Sequence, residues 1–335
     1  MPLPSLGDLA QNFVTRRQNT ALKTRMSSLT AELASGRTAD VARHLGGRLS
    51  ELGDIEHRIT LQQSRQTAAQ EAGIYADAMQ IALEEVHRKA GDLGVAAALA
   101  AGTTDATSLP ALAEQARGAL DSMVSALNRD VAGRPVFGGD DPSSLPLASA
   151  GTLLDAARLA VAGAIDAAGV EAGLDAFFGP GGGFETTIYR GGGGSLAPHR
   201  IGDGTSVELS VRADDPALRG ALRDTVMAAL ADDSALGIAR DDRMLLLRRA
   251  SDALLTGAGA VTGIQARLGS AQSRIEQAVA GLSSELAGLE SARNTLLAVD
   301  PYDTASELEQ VQFQLETLYA ITARSSRLNL VNFLS

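Results

Sequence analysis

From Leu247 onward, apolar residues recur at alternating steps of three and four. Leu247, Leu254, Val261, Leu268, Ile275, Leu282, Leu289 and Leu296 fall seven apart. Ala250, Gly257, Ile264, Ala271, Ala278, Glu285, Ala292 and Val299 fill the alternate positions, with only Gly257 and Glu285 breaking the pattern. A seven-residue repeat held this long predicts a long helix in coiled-coil-like packing. Leu268, Ile275, Leu282, Leu289 and Leu296 are its expected core. Gly257 and Gly259 loosen it by roughly 1 kcal/mol each. The register breaks at "AVDPYD", because Pro301 lacks an amide donor and biases Asp300 out of the helical region. A new seam then starts at Leu308, Val311, Leu315 and Leu318, with Asp303 or Thr304 as the expected cap.

The N-terminal part mirrors this layout. Leu22, Met26, Leu29 and Leu33 form a short seam that stops at "ASGRTADVARHLGG". A second seam runs from Leu52 through Ile55, Ile59, Gln62, Gln66, Ala69, Gly73, Ala76 and Gln80 to Leu83. Its three glutamines make it a poor core face alone, so it needs a partner, and the strong seam from Leu247 is available. A further helix is expected from Leu109 to Asp130. In the middle, "GRPVFGGDDPSSLP" ends the helical half. Two strand candidates follow, "FETTIYR" and "TSVELSVR", between glycine-rich turns, with helices at Leu153–Ala168 and Ala217–Ala231.

The pattern predicts a mainly α fold: a long antiparallel helical rod made by both chain ends, with a small α+β domain inserted. Residues 1–40 and 300–335 are read as terminal helical segments. Residues 41–135 and 244–299 are read as the rod, and 136–243 as a variable outer domain. The chain also ends on a greasy stretch, with Leu328, Leu330, Val331, Phe333 and Leu334 among its last eight residues. Such residues gain by burial, and a lone terminal helix offers them nothing to bury against.

Charge and composition narrow the function. A net charge of -11 argues against a surface that tracks phosphates, so nucleic acid is not an expected partner. With no cysteine, thiolate metal sites, cysteine nucleophiles and disulfides are excluded. No apolar run is long enough to span a membrane, and the first residues lack the pattern of a cleaved signal peptide. The glycine runs "GPGGGF" and "RGGGGS" lack the spacing and the lysine of a phosphate loop. His44, His57, His87 and His199 are scattered. The aspartate pairs at 140–141, 214–215, 232–233 and 241–242 sit beside Pro, Gly or Ser, where aspartate caps helices and shapes turns. No nucleophile, base and oxyanion site come together, so neither catalysis nor a cofactor or metal is expected.

The two ends carry a resemblance. "DPYDTASELEQVQFQLETLYAITARSSRLNLVNFLS" resembles the terminal helix of bacterial flagellins and their hook-associated relatives. "MSSLTAELASGRTAD" is similar to the N-terminal segment of that family, through Leu29, Leu33, Ser35, Gly36 and Arg37. Ala34 stands where a serine is usual, and "ADVARHLGG" departs from the family's continuation. The ending "LNLVNFLS" and the segment "GRPVFGG" are similar to the hook–filament junction members.

The resemblance implies a non-enzymatic structural protein of the extracellular flagellum, exported without a cleaved signal and joining hook to filament. It implies packing with other copies, with a neighbouring hook-associated protein and with flagellin, and an export chaperone. Its axial assembly residues would be Leu22, Met26, Leu29, Leu33, Leu308, Val311, Leu315, Leu318, Leu328, Leu330, Val331, Phe333 and Leu334. A divergent filament subunit is the alternative within the family. A coiled-coil scaffold, or an enzyme housed in the middle domain, are the alternatives outside it.

Overall fold

The computed structural model describes residues 6–101 and 108–334. Helices dominate in chain order: α1 (Leu6–Ser35), α2 (Val41–Leu45), α3 (Leu49–Ala101) and α4 (Ser108–Leu127), then α5 (Ala150–Ala160) and α6 (Ala167–Phe178), then α7 (Pro216–Leu230), α8 (Arg240–Leu297) and α9 (Pro301–Leu334). Two short hairpins, β1 (Asp130–Val131) with β2 (Arg134–Pro135) and β3 (His199–Arg200) with β4 (Ser206–Val207), are antiparallel. The expected mainly α class holds, with only small sheet elements. The chain divides into two compact units, Met1–Gln63 with Ser284–Ser335, and Ser64–Ser283.

In the larger unit the expected core of α8 is buried from Leu247 to Leu282, Ala271 included, and it meets α3. Gly73 lies against Ile275, and Gly94 lies beneath Leu254 and Leu255, so missing side chains let the helices close up. Ser251 Oγ donates to the carbonyl of Gly94 at 2.8 Å, which satisfies a buried hydroxyl. One apolar cluster continues from Met79 and Leu83 of α3 into Leu120 and Met123 of α4, Leu174 of α6 and Val226 of α7. It therefore joins residues that the sequence reading assigns to rod and to outer domain alike.

The polar interruptions of the two long seams meet each other. Gln62 donates to the carboxylate of Glu285, and Gln66 donates to Ser283 Oγ at 2.8 Å. Two of the three glutamines that weakened the α3 seam as a pattern are thus matched by polar residues of α8. α8 runs unbroken through Gly257 and Gly259.

Three local expectations are corrected. "FETTIYR" is not a strand: Phe184–Ile188 forms one turn of π-helix. Phe184 and Ile188, four apart, are both fully buried. Thr186 and Thr187 bond back to the carbonyls of Gly182 and Gly183, feeding side-chain hydroxyls to a helical turn. In "TSVELSVR" only Ser206–Val207 pairs as strand, although Val207 and Leu209 do point inward. The single helix expected at Leu153–Ala168 is two helices. Asp166 caps the second through Gly169 N at 2.8 Å, and Asp215 caps α7 through Ala217 N at 3.0 Å.

The glycine run 191–194 wraps a tyrosine. Tyr189 donates its hydroxyl to the carbonyl of Gly192 at 2.9 Å. Burial, with Asp214 adding, pushes that phenol up to about 12. Gly139, at φ +63, presses against the carbonyls of Gly192 and Gly194, where any Cβ would clash. Arg212 spans the same place, bonding Gly193 and the carboxylate of Asp214 at 2.7 Å.

His199 of β3 packs its ring 5.8 Å from that of Tyr75 on α3. Burial lowers its pKa, Arg134 lowers it further, and Glu71 opposes them. The folded state therefore prefers the neutral ring. Below about pH 6.5 the unfolded chain takes up the proton first, so stability falls until the folded imidazole titrates too. Thermal melts between pH 7.5 and 5 are expected to show this loss, and His199→Gln to flatten it. Leu83→Ala, in the core, is expected to cost about 2–5 kcal/mol. Ile81→Ala, two residues away on the exposed face, should stay within about 0.5 kcal/mol by the same melts.

Candidate assembly surface

In the smaller unit α1 packs against α9. Leu29, Val311 and Leu315 are buried at its centre, and Leu22, Met26 and Leu308 pack around them half-buried. Six of the residues picked out by the two short seams are thus brought together. Leu318 is half-buried, and Leu33 on α1 is 41% exposed. Of the expected α8 core in this unit, Leu289 is buried and Leu296 is half-buried. The backbone of α9 reaches Leu334, but the side chains of Leu328, Leu330, Val331, Phe333 and Leu334 lie outside the described residues.

Polar contacts tie the pair at defined heights. Arg25 reaches Glu307 at 2.6 Å. The ammonium of Lys23 lies 5.9 Å from the ring centre of Tyr319. A hydrogen bond from Lys23, and another from Asn19, hold the Tyr319 phenol below its ordinary pKa.

The helix breaks on the two strands of the chain are stitched together. Gly36, at φ +68, ends α1 in the left-handed conformation and donates to the carbonyl of Glu32 at 2.8 Å. The chain then pairs Arg37 with Ala298 as a short antiparallel bridge. Thr38 N donates to Leu297 O at 2.9 Å, and Val299 N to Gly36 O at 3.1 Å. Arg37 also reaches the side chain of Asn294. Glu32, almost fully buried, accepts from Ala39 N at 2.8 Å and fixes the loop from below. The Ser-Gly-Arg stretch and the "AVDP" break, separate signals in the sequence, form one joint. Nothing in the spacing of either alone discloses the other.

The cap of α9 is Asp300, not Asp303 or Thr304. Its carboxylate accepts from Tyr302 N at 2.8 Å and from Asp303 N at 3.3 Å, while Pro301 takes the first helical position. Proline suits that place, where its missing donor costs nothing. Thr304 instead turns its hydroxyl back to the Asp300 carbonyl at 2.8 Å.

What this unit leaves outside is apolar. Phe313 is 69% exposed and Ile321 56%. With Gln18, Ala21, Leu22 and Leu318 they line an open groove between α1 and α9. Phe13 of α1 is 69% exposed as well. A buried core of three side chains under helices of 30 and 34 residues is small, and the exposed aromatics signal a surface made for burial elsewhere.

The acidic pairs weighed as catalytic candidates have local duties. Asp140 accepts from Gly194 N, Asp141 from Ser143, Asp233 from Arg158 and Ala235 N, and Asp242 from Ala167 N. Among the described residues, no group of three His, Asp or Glu side chains is placed to hold a metal ion. Nor is any described helix long and apolar enough to cross a membrane.

Comparison with known proteins bears on the long C-terminal helices. Residues 253–334 match the family model of the bacterial flagellin C-terminal helical region. That match takes in most of α8 and all of α9, and the flagellin-like reading of this end holds. No curated protein matches the chain. Among solved structures, the fold is similar to the crystal structure of Bacillus cereus FlgL, with a TM-score of 0.52 and 14% identity, covering 72% of this chain and 98% of that one. It is also similar to a Vibrio parahaemolyticus structure described as a flagellar hook-associated protein, with a TM-score of 0.51 and 10% identity, covering 73% and 95%. At these identities the likeness is one of fold.

Removing the cap tests the joint between α8 and α9. Asp300→Ala is expected to cost about 1 kcal/mol of helix stability. Hydrogen exchange should speed up at the amides of Tyr302 and Asp303 while the larger unit stays as protected as before.

Proposed function

We propose that the protein is a structural subunit of the bacterial flagellum that joins hook to filament. It would work by packing rather than by catalysis, and without a cofactor. The observation that carries this reading is the α1–α9 pair: a minimal core, an exposed apolar groove and a flagellin-type C-terminal helix in one unit. The fold likeness to FlgL and to a flagellar hook-associated protein supports the choice within the flagellum. In this reading residues 1–40 and 300–335 make the axial contacts. Leu22, Met26, Leu29, Leu308, Val311, Leu315 and Leu318 hold the pair together, and the apolar tail from Leu328 to Leu334 buries against neighbours, as does Leu33. Residues 136–243 face outward. Partners are further copies, a neighbouring hook-associated protein and flagellin. The chain leaves the cell by a route that reads no cleaved signal, escorted by an export chaperone that covers the apolar ends.

The match to the flagellin C-terminal region favours one other reading, a filament subunit. Immunogold labelling of intact flagella separates the two. A single band at the distal end of the hook is expected, and staining along the filament would replace the junction reading with that of a filament subunit.

A second test acts on the groove. Phe313→Asp with Ile321→Asp should leave the melting temperature of the isolated chain unchanged, because both side chains are already in solvent. In cells lacking the native copy, the same variant should be secreted without attached filaments, and swimming should be lost. Normal swimming by that variant would remove the groove from the assembly.

A further inference from the structure

The larger unit carries two charge stripes on opposite flanks, neither of them closed by an ion pair among the described residues. On α3, Ile74 is 58% and Ile81 52% exposed, seven residues apart. Beside them stand Asp77 and Glu84, also seven apart and exposed; among the described residues neither makes an ion pair, and Arg88, one turn from Glu84, is turned to Glu85 and feels Glu84 only at longer range. Asp77 accepts only an amide, from Gln272 at 2.7 Å. On α8, Arg267 and Arg274 are exposed, again seven apart, and no ion pair or hydrogen bond engages either among the described residues. Elsewhere in this unit arginines are typically paired: Arg65, Arg88, Arg158, Arg212, Arg219, Arg223 and Arg249 all reach carboxylates.

The helix geometry sets these stripes apart. Gln272 reaches Asp77, so it marks the flank of α8 that lies on the acidic side of α3. Arg274 follows two residues later, about 200° around the helix, and Arg267 comes one heptad earlier on the same stripe as Arg274. Both therefore leave α8 on the flank away from Asp77. Heights are set by the antiparallel contacts, Gln66 with Ser283 and Asp77 with Gln272. Followed along both helices, they put Arg274 level with Tyr75 and Arg267 level with Ala82. Each arginine is then about two residues, or about 3 Å, from the height of an acid: Arg274 from Asp77, and Arg267 from Glu84. An arginine side chain covers that offset.

We propose that these stripes are the two halves of one contact between parallel copies of this chain, Arg267 and Arg274 of one copy meeting Glu84 and Asp77 of the next. Ile74 and Ile81 would pack against the aliphatic stems of the arginines. Because the halves lie on opposite flanks, the contact is head-to-tail, and repetition carries it around a ring. Ion pairs at such a surface are individually weak. The contact therefore sets the spacing and sense of neighbours that the terminal helices have already gathered, and does not drive dimers in dilute solution. The inference rests on the reading of the protein as an axial subunit and adds which surface each copy shows its neighbour.

The chain has no cysteine, which makes the test direct. The full chain with Asp77→Cys and Arg274→Cys is expressed in cells lacking the native copy. Flagella are isolated, oxidised with a copper catalyst and run on a denaturing gel without reductant. A ladder reaching trimers and beyond is expected, with each single-cysteine chain giving none above dimer. Monomer alone from flagella that contain the double variant would overturn the contact, as would an equal ladder from a single-cysteine control. The position of the protein is read separately by immunogold. If it is absent from flagella, the functional reading falls, and oxidation of the concentrated purified chain decides the contact by the same ladder. Charge reversal gives an independent check. Asp77→Arg with Glu84→Arg should reduce attached filaments, and adding Arg267→Glu with Arg274→Glu should restore them. Failure of the fourfold variant to restore them, with both variants secreted as well as the native chain, would count against the pairing.

Discussion

The structure depends on one seam. Leu247, Leu254, Val261, Leu268, Ile275 and Leu282 give α8 a continuous apolar edge, and α3 supplies the surface that covers it. Neither helix is stable alone, because helix propensity in water does not sustain an exposed apolar stripe. Once they pair, the remaining elements have something to pack on. α4 lies over the same core, α7 lies over α4, and α6 closes on α7. Glycines at 73 and 94 let the long helices approach closely, and the larger residues beside them fill the space.

The seam was readable because its signal is long and redundant. Many apolar positions agree on one phase, and a stray Gly257 or Glu285 does not obscure it. Short elements carry no such redundancy. "FETTIYR" holds β-branched and aromatic residues that favour strands, but the burial of Phe184 and Ile188 against the α6 region imposes a turn of helix on them. The cap of α9 was misplaced for a similar reason. Asp300, Asp303 and Thr304 all have capping chemistry, and only the position of Pro301 at the first helical residue selects Asp300.

The assembly surface was legible in part. Spacing alone identified Leu29, Val311 and Leu315, because each is the buried point of a short seam. Leu33 continues that spacing and yet is 41% exposed, two residues before α1 ends at Ser35. The stitch between Arg37 and Ala298 was invisible, because a backbone bridge between distant segments leaves no side-chain period. The exposed Phe313 and Ile321 were equally hidden: a pattern search looks for what is buried in one chain, and these residues belong to a surface that the single chain leaves open.

The meeting of Gln62 with Glu285, and of Gln66 with Ser283, has a consequence for how the chain finds this state. A heptad repeat is nearly indifferent to sliding by seven residues, since every leucine lands on another apolar level. Sliding α8 by one heptad would carry Glu285 to the level of Ile55 or Ala69 and leave Gln62 facing Ala292 or Ala278. Those mismatches add to the loss of the close fits at Gly73 and Gly94, which also belong to one alignment. A chain refolding from an extended state would thus be proofread in part at a few polar positions, and replacing Gln62 and Glu285 together by leucine would narrow the gap between the native alignment and its slipped neighbours.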